Sequence, residues 1–402
     1  MSFRRFAGRG KSILPAGAGI IATALLMAPT AAGAAPIGNV WSVVKSPNVT
    51  AGTFATNALL SVSAVSDTNV WAAGFDNKSG ADDSTDAPLI EHWNGTAWSV
   101  SPVGTQNAML TSISADSATD AWAVGNVLNT QTLLAEHWTG SAWSTVAMPL
   151  PAGTLSARIE GVTALSPTNA WAVGVSVNND LGLPLIEHWD GTSWSVTPNV
   201  PRQVSDFNDL HGVTAISAND IWAVGEFDQG GASPQSQLLM HWNGTNWSLS
   251  RPAQVNTGES NAFPAAVSGA ASNDVWAVGG VDITGADQSR SQQPFAMHWD
   301  GTAWTDIATP AAGTLSAAFA FTSVAALSRN DVWAVGLNGG RAFIEHWDGT
   351  SWSAAGQPAL GANGNTLEGI TRSGTNSLWA VGDNNPASIL KSQTLTLHTT
   401  AG

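Results

Sequence analysis

Short runs of apolar and small residues alternate with polar turns along most of the chain, and one run recurs seven times. Its clearest copy is Ile221-Trp222-Ala223-Val224-Gly225. The Trp recurs at intervals of 51, 49, 51, 54, 57 and 46 residues, at Trp71, Trp122, Trp171, Trp222, Trp276, Trp333 and Trp379. Self-similarity at such a period predicts a solenoid or a propeller, in which each unit buries its apolar face against its neighbours.

One repeat unit contains four apolar stretches, and residues 207–250 show it most plainly. The stretches are 210–216, 221–225, 238–242 and 247–249. They are rich in Val, Ile, Thr and Trp and alternate with period two, which predicts β-strands rather than helices. Asn243-Gly244 lies between the last two stretches and is a strong hairpin signal, because both residues tolerate positive φ. We name the four predicted strands A to D.

A count of strand C and strand D signals suggests how the repeat closes. A His-Trp pair, a tight turn and a second Trp occur together six times, starting at His92, His137, His188, His241, His298 and His346. The seventh predicted strand C, 395–398, is not followed by a strand D. The N-terminal segment Trp41-Ser42-Val43 resembles a strand D, but no strands A to C precede it. Joining the two predicts an all-β, seven-bladed β-propeller with four-stranded antiparallel blades, in which an N-terminal strand completes the last blade.

The repeat also resembles a known family. Val275-Trp276-Ala277-Val278-Gly279-Gly280, a variable loop, a further strand, a tight turn and Trp304 resemble the kelch repeat of galactose-oxidase-type propellers. The period of that repeat is about 50 residues, close to the spacing here. The resemblance implies a propeller over residues 40–400, and it does not carry over the activity. The copper site of that family needs a Tyr cross-linked to Cys, and the chain contains neither residue.

The first residues predict export. Residues 1–35 have a basic start, an apolar run over 13–27 and the small residues Ala32-Gly33-Ala34, which is the pattern of a signal peptide cleaved after Ala34. The apolar run is too short for a membrane span. We therefore expect a secreted, extracellular bacterial protein that is not inserted in the membrane after cleavage, with residues 36–402 forming the propeller.

Composition narrows the possible partners. The net charge is −15, and removal of the four basic residues in the leader takes it to −19. An acidic surface argues against nucleic acid and anionic membranes. The absence of Cys excludes disulfides and thiolate metal sites. No spaced set of oxygen ligands is present, so we expect no metal ion and no cofactor. We also expect the protein to be a monomer.

Residues that recur in every blade are expected to serve packing. The repeated His residues would lie about 15 Å apart, too far to share a metal ion. An Asx residue precedes six of the seven strand-B Trp residues and is expected to bond its own turn. The strand-D Trp residues leave an alternative open, because exposed indoles could stack against sugars. They are Trp41, Trp98, Trp143, Trp194, Trp247, Trp304 and Trp352.

Function is expected where the repeats differ. The B–C and D–A connections share one face of a propeller, which we call the loop face, and they vary most, at 75–88, 175–184, 199–210, 226–237 and 280–294. One slot of strand A, entered from this face, also varies. It reads Leu60, Thr111, Glu160, His211, Ala265, Thr322 and Glu368.

The polar residues at and beside this slot are the candidate ligand site: His211, Glu160, Glu368, Asp209 and Arg158. The favoured hypothesis is a non-catalytic protein that binds a glycan or another cell-envelope polymer. The first alternative is a scaffold that binds an extracellular protein. The second is a glycosidase or lyase that uses Glu160, Glu368 and His211 for acid–base chemistry. A sialidase-like site is excluded because it needs a Tyr nucleophile.

Overall fold

The computed structural model describes residues 40–52, 54–77, 86–104, 107–179, 181–203, 205–228, 235–250, 261–284, 290–309, 319–361, 364–375, 377–385 and 391–400. Within these ranges every helix or strand element is a β-strand. The ranges contain no helix that could span a membrane. The predicted signal peptide, residues 1–35, lies outside them, as do the central parts of loops 75–88, 226–237 and 280–294.

The strands are numbered in chain order, and β1 is Ser42–Val44. The first blade comprises β2 (Thr56–Ser66), β3 (Asn69–Asn77), β4 (Asp86–Trp93) and β5 (Trp98–Val100). The second comprises β6 (Ala108–Ser117), β7 (Asp120–Val127), β8 (Leu133–Trp138) and β9 (Trp143–Thr145). The third comprises β10 (Ser156–Ser166), β11 (Asn169–Asn178), β12 (Leu181–Trp189) and β13 (Trp194–Val196).

The fourth blade comprises β14 (Phe207–Ser217), β15 (Asp220–Asp228), β16 (Gln235–Trp242) and β17 (Trp247–Leu249). The fifth comprises β18 (Asn261–Ala271), β19 (Asp274–Thr284), β20 (Arg290–Trp299) and β21 (Trp304–Asp306). The sixth comprises β22 (Phe319–Ser328), β23 (Asp331–Asn338), β24 (Arg341–Trp347) and β25 (Trp352–Ala354). The seventh comprises β26 (Asn365–Arg372), β27 (Ser377–Asn384), β28 (Gln393–Thr400) and β1.

Within each blade the strands pair in order and antiparallel, so the described strands form seven four-stranded units. The third and fourth units are also joined by one parallel pair, Gly182 with Phe207. The inner strands follow one another as β2, β6, β10, β14, β18, β22 and β26, and β26 packs against β2. The described strands thus confirm the predicted all-β fold of four-stranded antiparallel sheets and agree in number with the repeats in the sequence.

The N-terminal strand completes the seventh blade, as predicted. Strand β1 pairs antiparallel with β28, with Val43 opposite Leu397. Trp41 is buried, and its ring lies edge-on to Trp333 at 5.9 Å between centroids. The Oγ of Ser46 donates to Thr394 at 2.6 Å just beyond the paired residues. Both ends of the described chain are therefore held in one sheet.

Serine hydroxyls join neighbouring inner strands, which do not pair with one another as a β-ladder. The backbone N–H of Ile113 donates to the Oγ of Ser61 in the preceding blade at 3.2 Å. The same bond links Val162 to Ser112, also at 3.2 Å. Backbone donors at the inner edge of these blades are thereby satisfied by the blade next to them.

The strand-D Trp residues pack between blades. Trp143 is 8% exposed, and its ring meets the ring of Trp71 in the first blade edge-on at 5.2 Å. Trp71 also stacks on His92 at 4.1 Å and contacts Trp138 at 5.0 Å. All seven strand-D Trp side chains are buried. The alternative that they form an exposed sugar-stacking platform is therefore wrong, because each indole fills a junction between blades.

The repeated His residues are structural, as expected, but the Asx residues differ from the prediction. The Nε2 of His137 lies 2.6 Å from the Oδ1 of Asp120, and the equivalent pair His92 and Asn69 is separated by 2.9 Å. The Asx side chain thus bonds the imidazole of strand C and not its own turn. In the seventh blade the hydroxyl of Ser377 takes the Asx position, 2.8 Å from His398.

Candidate functional site

The variable slot of strand A is a β-bulge. In every inner strand the pairing with strand B skips one residue near the loop face, for example between Ile159 and Gly161 and between Leu210 and Gly212. The skipped residues are Leu60, Thr111, Glu160, His211, Ala265, Thr322 and Glu368. A bulged residue leaves the ladder and has its side chain re-aimed. The slot can therefore vary without disturbing strand pairing.

The bulge explains the Gly that ends the repeated strand-B motif. A Cβ added to Gly174 would lie 2.0 Å from the carbonyl oxygen of Arg158, and one added to Gly225 would lie 2.0 Å from that of Asp209. Such a distance is far inside van der Waals contact. The motif needs Gly because the bulged backbone of strand A approaches strand B at this point.

The third and fourth blades are joined by an ion-pair network. The Nε of Arg158 lies 2.7 Å from the Oε1 of Glu160 on the same strand. The Nη2 of Arg158 pairs with the Oδ2 of Asp209 on the next inner strand. The Asp209 side chain is 1% exposed, whereas that of Arg158 is 45% exposed. The guanidinium therefore covers a buried carboxylate and presents its outer edge to solvent.

His211 interacts electrostatically with Glu160 of this network. Burial raises the pKa of Glu160 above its ordinary value, while His211 and Arg158 act to lower it and Asp209 adds to the rise. Burial alone would lower the pKa of Arg158, but the charges of Asp209 and Glu160 leave it raised, so the guanidinium stays protonated. We call Arg158, Glu160, Asp209 and His211 the charged cluster.

Two residues of the second blade hold the bulge that carries Glu160. The hydroxyl of Thr111 donates to the carbonyl oxygen of Ile159 at 2.9 Å. The side chain of Asn126 donates to the same oxygen at 3.2 Å and accepts from the N–H of Ile159 at 3.0 Å. The sequence contained Thr111 in the variable slot, but nothing in it pointed to Asn126, whose role depends on contact with the next blade.

Glu368, the fifth predicted site residue, belongs to a separate network. It lies in the seventh blade, where burial raises its pKa to about 7, with a hydrogen bond from Thr366 opposing the rise and the charge of Asp383 adding to it. Thr366 in turn donates to Asp383 at 2.6 Å. Glu368 is thus linked to residues of its own blade, while Glu160 is linked to Arg158, and the part of Glu368 in a ligand site stays a prediction.

The described residues show no cluster of metal-ligating side chains. They contain no group of three or more His, Asp or Glu side chains placed to hold an ion. The acidic residues Asp82 and Asp83 of loop 75–88 lie outside the described ranges.

Comparison with known proteins finds likeness only among solved structures, since no family model and no curated protein matches. YCF48 from Cyanidioschyzon merolae is 15% identical, with a TM-score of 0.52 over 90% of this chain and 98% of that one. A chain of the mitotic checkpoint complex is 13% identical, with a TM-score of 0.54 over 94% and 100%. The polysaccharide lyase PL25, an ulvan lyase, is 9% identical, with a TM-score of 0.52 over 85% and 94%.

At sequence identities of 9–15%, structural similarity shows the fold alone. The neighbours include proteins that bind peptides or proteins and an enzyme that acts on a polysaccharide, so the function is not shared among them. Together with the ring of four-stranded antiparallel sheets, they identify this chain as a β-propeller.

Proposed function

We propose that this chain is a secreted, non-catalytic β-propeller of the kelch-like type, which binds a hydroxyl-rich polymer such as a glycan over the charged cluster. The observation that carries the proposal is the network in which Arg158 holds both Glu160 and Asp209. Such a network offers guanidinium donors and carboxylate acceptors in fixed positions. Pairs of sugar hydroxyls, each a donor and an acceptor, match this arrangement.

The packing of the Trp residues determines the kind of recognition. Because every strand-D indole is buried, a sugar would be bound by hydrogen bonds to charged side chains and not by stacking on that Trp set. The side chain of Glu160 is 27% exposed and that of Arg158 is 45% exposed, so both can be reached from solvent.

The test is an array of oligosaccharides and cell-wall polymers, followed by calorimetric titration of each hit. A charge-assisted hydrogen bond contributes about 1.5–3 kcal/mol, so E160Q should weaken binding at least about 10-fold. The matched control is E368Q, which changes the same slot in the seventh blade and should leave affinity within about 2-fold. No signal across the array, or equal loss in both variants, would contradict the proposal.

A protein partner is the second candidate, and it is consistent with two of the structural neighbours. One neighbour, YCF48, is described as bound to D1 peptide, and another belongs to the mitotic checkpoint complex. A scaffold of this kind would use the same loop face. Pull-down from cell-envelope extract should then recover one partner, and trimming loops 75–88 and 280–294 should abolish its capture.

A glycosidase or lyase is the remaining alternative. It would require Glu160, Glu368 and His211 to act on one substrate, yet Glu368 has Thr366 and Asp383 as its polar neighbours. We therefore expect no turnover of polysaccharides that bind. Turnover that is abolished in a variant carrying both E160A and H211A would support the enzyme instead.

A further inference from the structure

The charged cluster has an aromatic side chain beside it. Two residues before each bulge, the inner strands carry a second variable slot, which reads Ala58, Met109, Arg158, Asp209, Phe263, Ala320 and Thr366. Arg158 and Asp209 occupy this slot in the third and fourth blades and pair with each other. The inner strand of the fifth blade, β18, packs against β14 of the fourth. Phe263 therefore follows Asp209 around the loop-face end of the ring.

The ring of Phe263 lies over a glycine. Phe263 pairs with Gly280 on β19, and a Cβ added to Gly280 would lie 2.6 Å from the Cζ of Phe263. Gly280 is the second Gly after the strand-B Trp of this blade, and larger residues such as Val175 and Leu337 take its place in other blades. An aromatic ring opposite a strand glycine covers the exposed backbone there. One face of the Phe263 ring is thus supported by the sheet.

Phe263 does not belong to the core between blades. Its side chain is half-buried, and neither of the apolar clusters that the described residues form on the two sides of the fifth blade includes it. Trp276 and Phe295 of the same blade are, in contrast, buried members of those clusters. Aromatic side chains beside a few fixed polar groups are typical of ligand sites, because a ring offers a large and rigid apolar surface.

We propose that the ring of Phe263 stacks against one sugar of a neutral glycan, whose hydroxyls bind the charged cluster. This inference rests on the function proposed above and adds the class of glycan. A pyranose has an apolar C–H face and polar edges, so a phenyl ring beside a guanidinium and carboxylates matches both.

The charges of the site favour a neutral glycan over an anionic one. Arg158 already pairs with Glu160 and Asp209, so its positive charge is compensated twice. The whole chain carries a net charge of −15. A uronate polymer would therefore meet repulsion both at the site and on approach.

Other blades supply the test substitutions. Met109 and Ala320 occupy the slot of Phe263 in the second and sixth blades, so the fold already accommodates both residues there. F263M keeps an apolar side chain of similar size but removes the flat ring, F263A removes both, and F263Y retains the ring. The matched control is F54A, because Phe54 is 50% exposed and lies before β2, outside the slot.

The experiment is calorimetric titration of the purified full chain with cellohexaose and mannohexaose, which are neutral, and with hexagalacturonate, which is anionic. The wild type should bind at least one neutral probe saturably and more tightly than the anionic one. F263A should weaken this binding at least about 10-fold and F263M at least about 5-fold, whereas F263Y and F54A should remain within about 2-fold. The Tm of F263M should stay within about 3 °C of the wild-type value, which separates loss of the ring from loss of the fold.

Three results would overturn the inference. In the first, F263A and F263M bind as the wild type does; if E160Q is weakened in the same titration, the charged cluster still binds the glycan and only the role of Phe263 is wrong. In the second, hexagalacturonate binds more tightly than both neutral probes, which contradicts the class of ligand. In the third, the wild type binds neither neutral probe, and the wider array described above then decides the proposed function separately.

Discussion

Arg158 of the third blade pairs with Asp209 of the fourth, although the Asp209 side chain is almost completely buried. R158A would leave the carboxylate of Asp209 without its cation. Breaking a wholly buried pair costs about 3–5 kcal/mol, and because Arg158 is half exposed we expect a loss of about 1–3 kcal/mol in the free energy of unfolding. Urea denaturation measures this loss.

The double variant R158A/D209A is the control for that prediction. Ala58 and Ala320 occupy the same slot in the first and sixth blades, so the backbone accepts Ala there. Removing both charges should return stability to within about 1 kcal/mol of the wild type. A double variant less stable than R158A would show that Asp209 contributes through other contacts.

The buried Glu91 should make stability depend on pH. It is fully buried, both its carboxylate oxygens lack hydrogen-bond partners among the described residues, and burial raises its pKa from 4.5 to about 8. The folded state therefore retains a proton that the unfolded chain releases. Its stability is greatest below pH 4.5 with respect to this group and falls as the pH rises to about 8.

E91M tests this dependence, because Met240 and Met297 occupy the equivalent slot in the fourth and fifth blades. We expect the variant to gain about 2–5 kcal/mol over the wild type at pH 9 and much less at pH 5. The test is to measure the free energy of unfolding of both proteins at pH 5 and at pH 9. A gain that does not change with pH would mean that Glu91 is unprotonated in the folded state at both values.

Because of the bulge, we expect the strand-B Gly residues to be unusually sensitive to substitution. In G174A the new Cβ would lie 2.0 Å from the carbonyl oxygen of Arg158, so strands A and B must separate. We expect a loss of more than about 3 kcal/mol in stability, together with weaker ligand binding at the charged cluster. Gly356 has no atom within 4 Å of an added Cβ, and G356A should cost less than about 1 kcal/mol.

Export can be tested directly on the expressed chain. If residues 1–35 act as a signal peptide cleaved after Ala34, protein recovered from the medium of a bacterial host should begin at Ala35. Mass spectrometry of the intact protein measures this. A cell-associated chain that retains its leader would contradict the prediction.

Much of the fold could be predicted from local pattern. Interactions within a blade recur at regular positions in the sequence. Examples are the run around Trp222 and the Asn243-Gly244 turn, and Trp41 indicates in the same way how the last blade is completed. The variable slot was found for the same reason. It was visible as one irregular column in an otherwise regular repeat.

The missing parts of the site depend on contacts between blades. Asn126 holds the backbone beside Glu160, and no spacing within one repeat could show that. Glu368 occupies the same column of the repeat as Glu160, but the sequence could not show that its polar neighbours are Thr366 and Asp383 of its own blade.

The bulges on the inner strands also affect how such a ring can evolve. Each bulged residue is exempt from strand pairing, and the Gly on the adjacent strand preserves the backbone shape that makes this exemption possible. A substitution at position 160 or 211 can therefore alter what the protein recognises without altering how a blade is built. Thr111 and Thr322 also hydrogen-bond the bulge of the next blade, so the other five positions are the ones at which a duplicated gene could acquire a new ligand by changing one blade at a time.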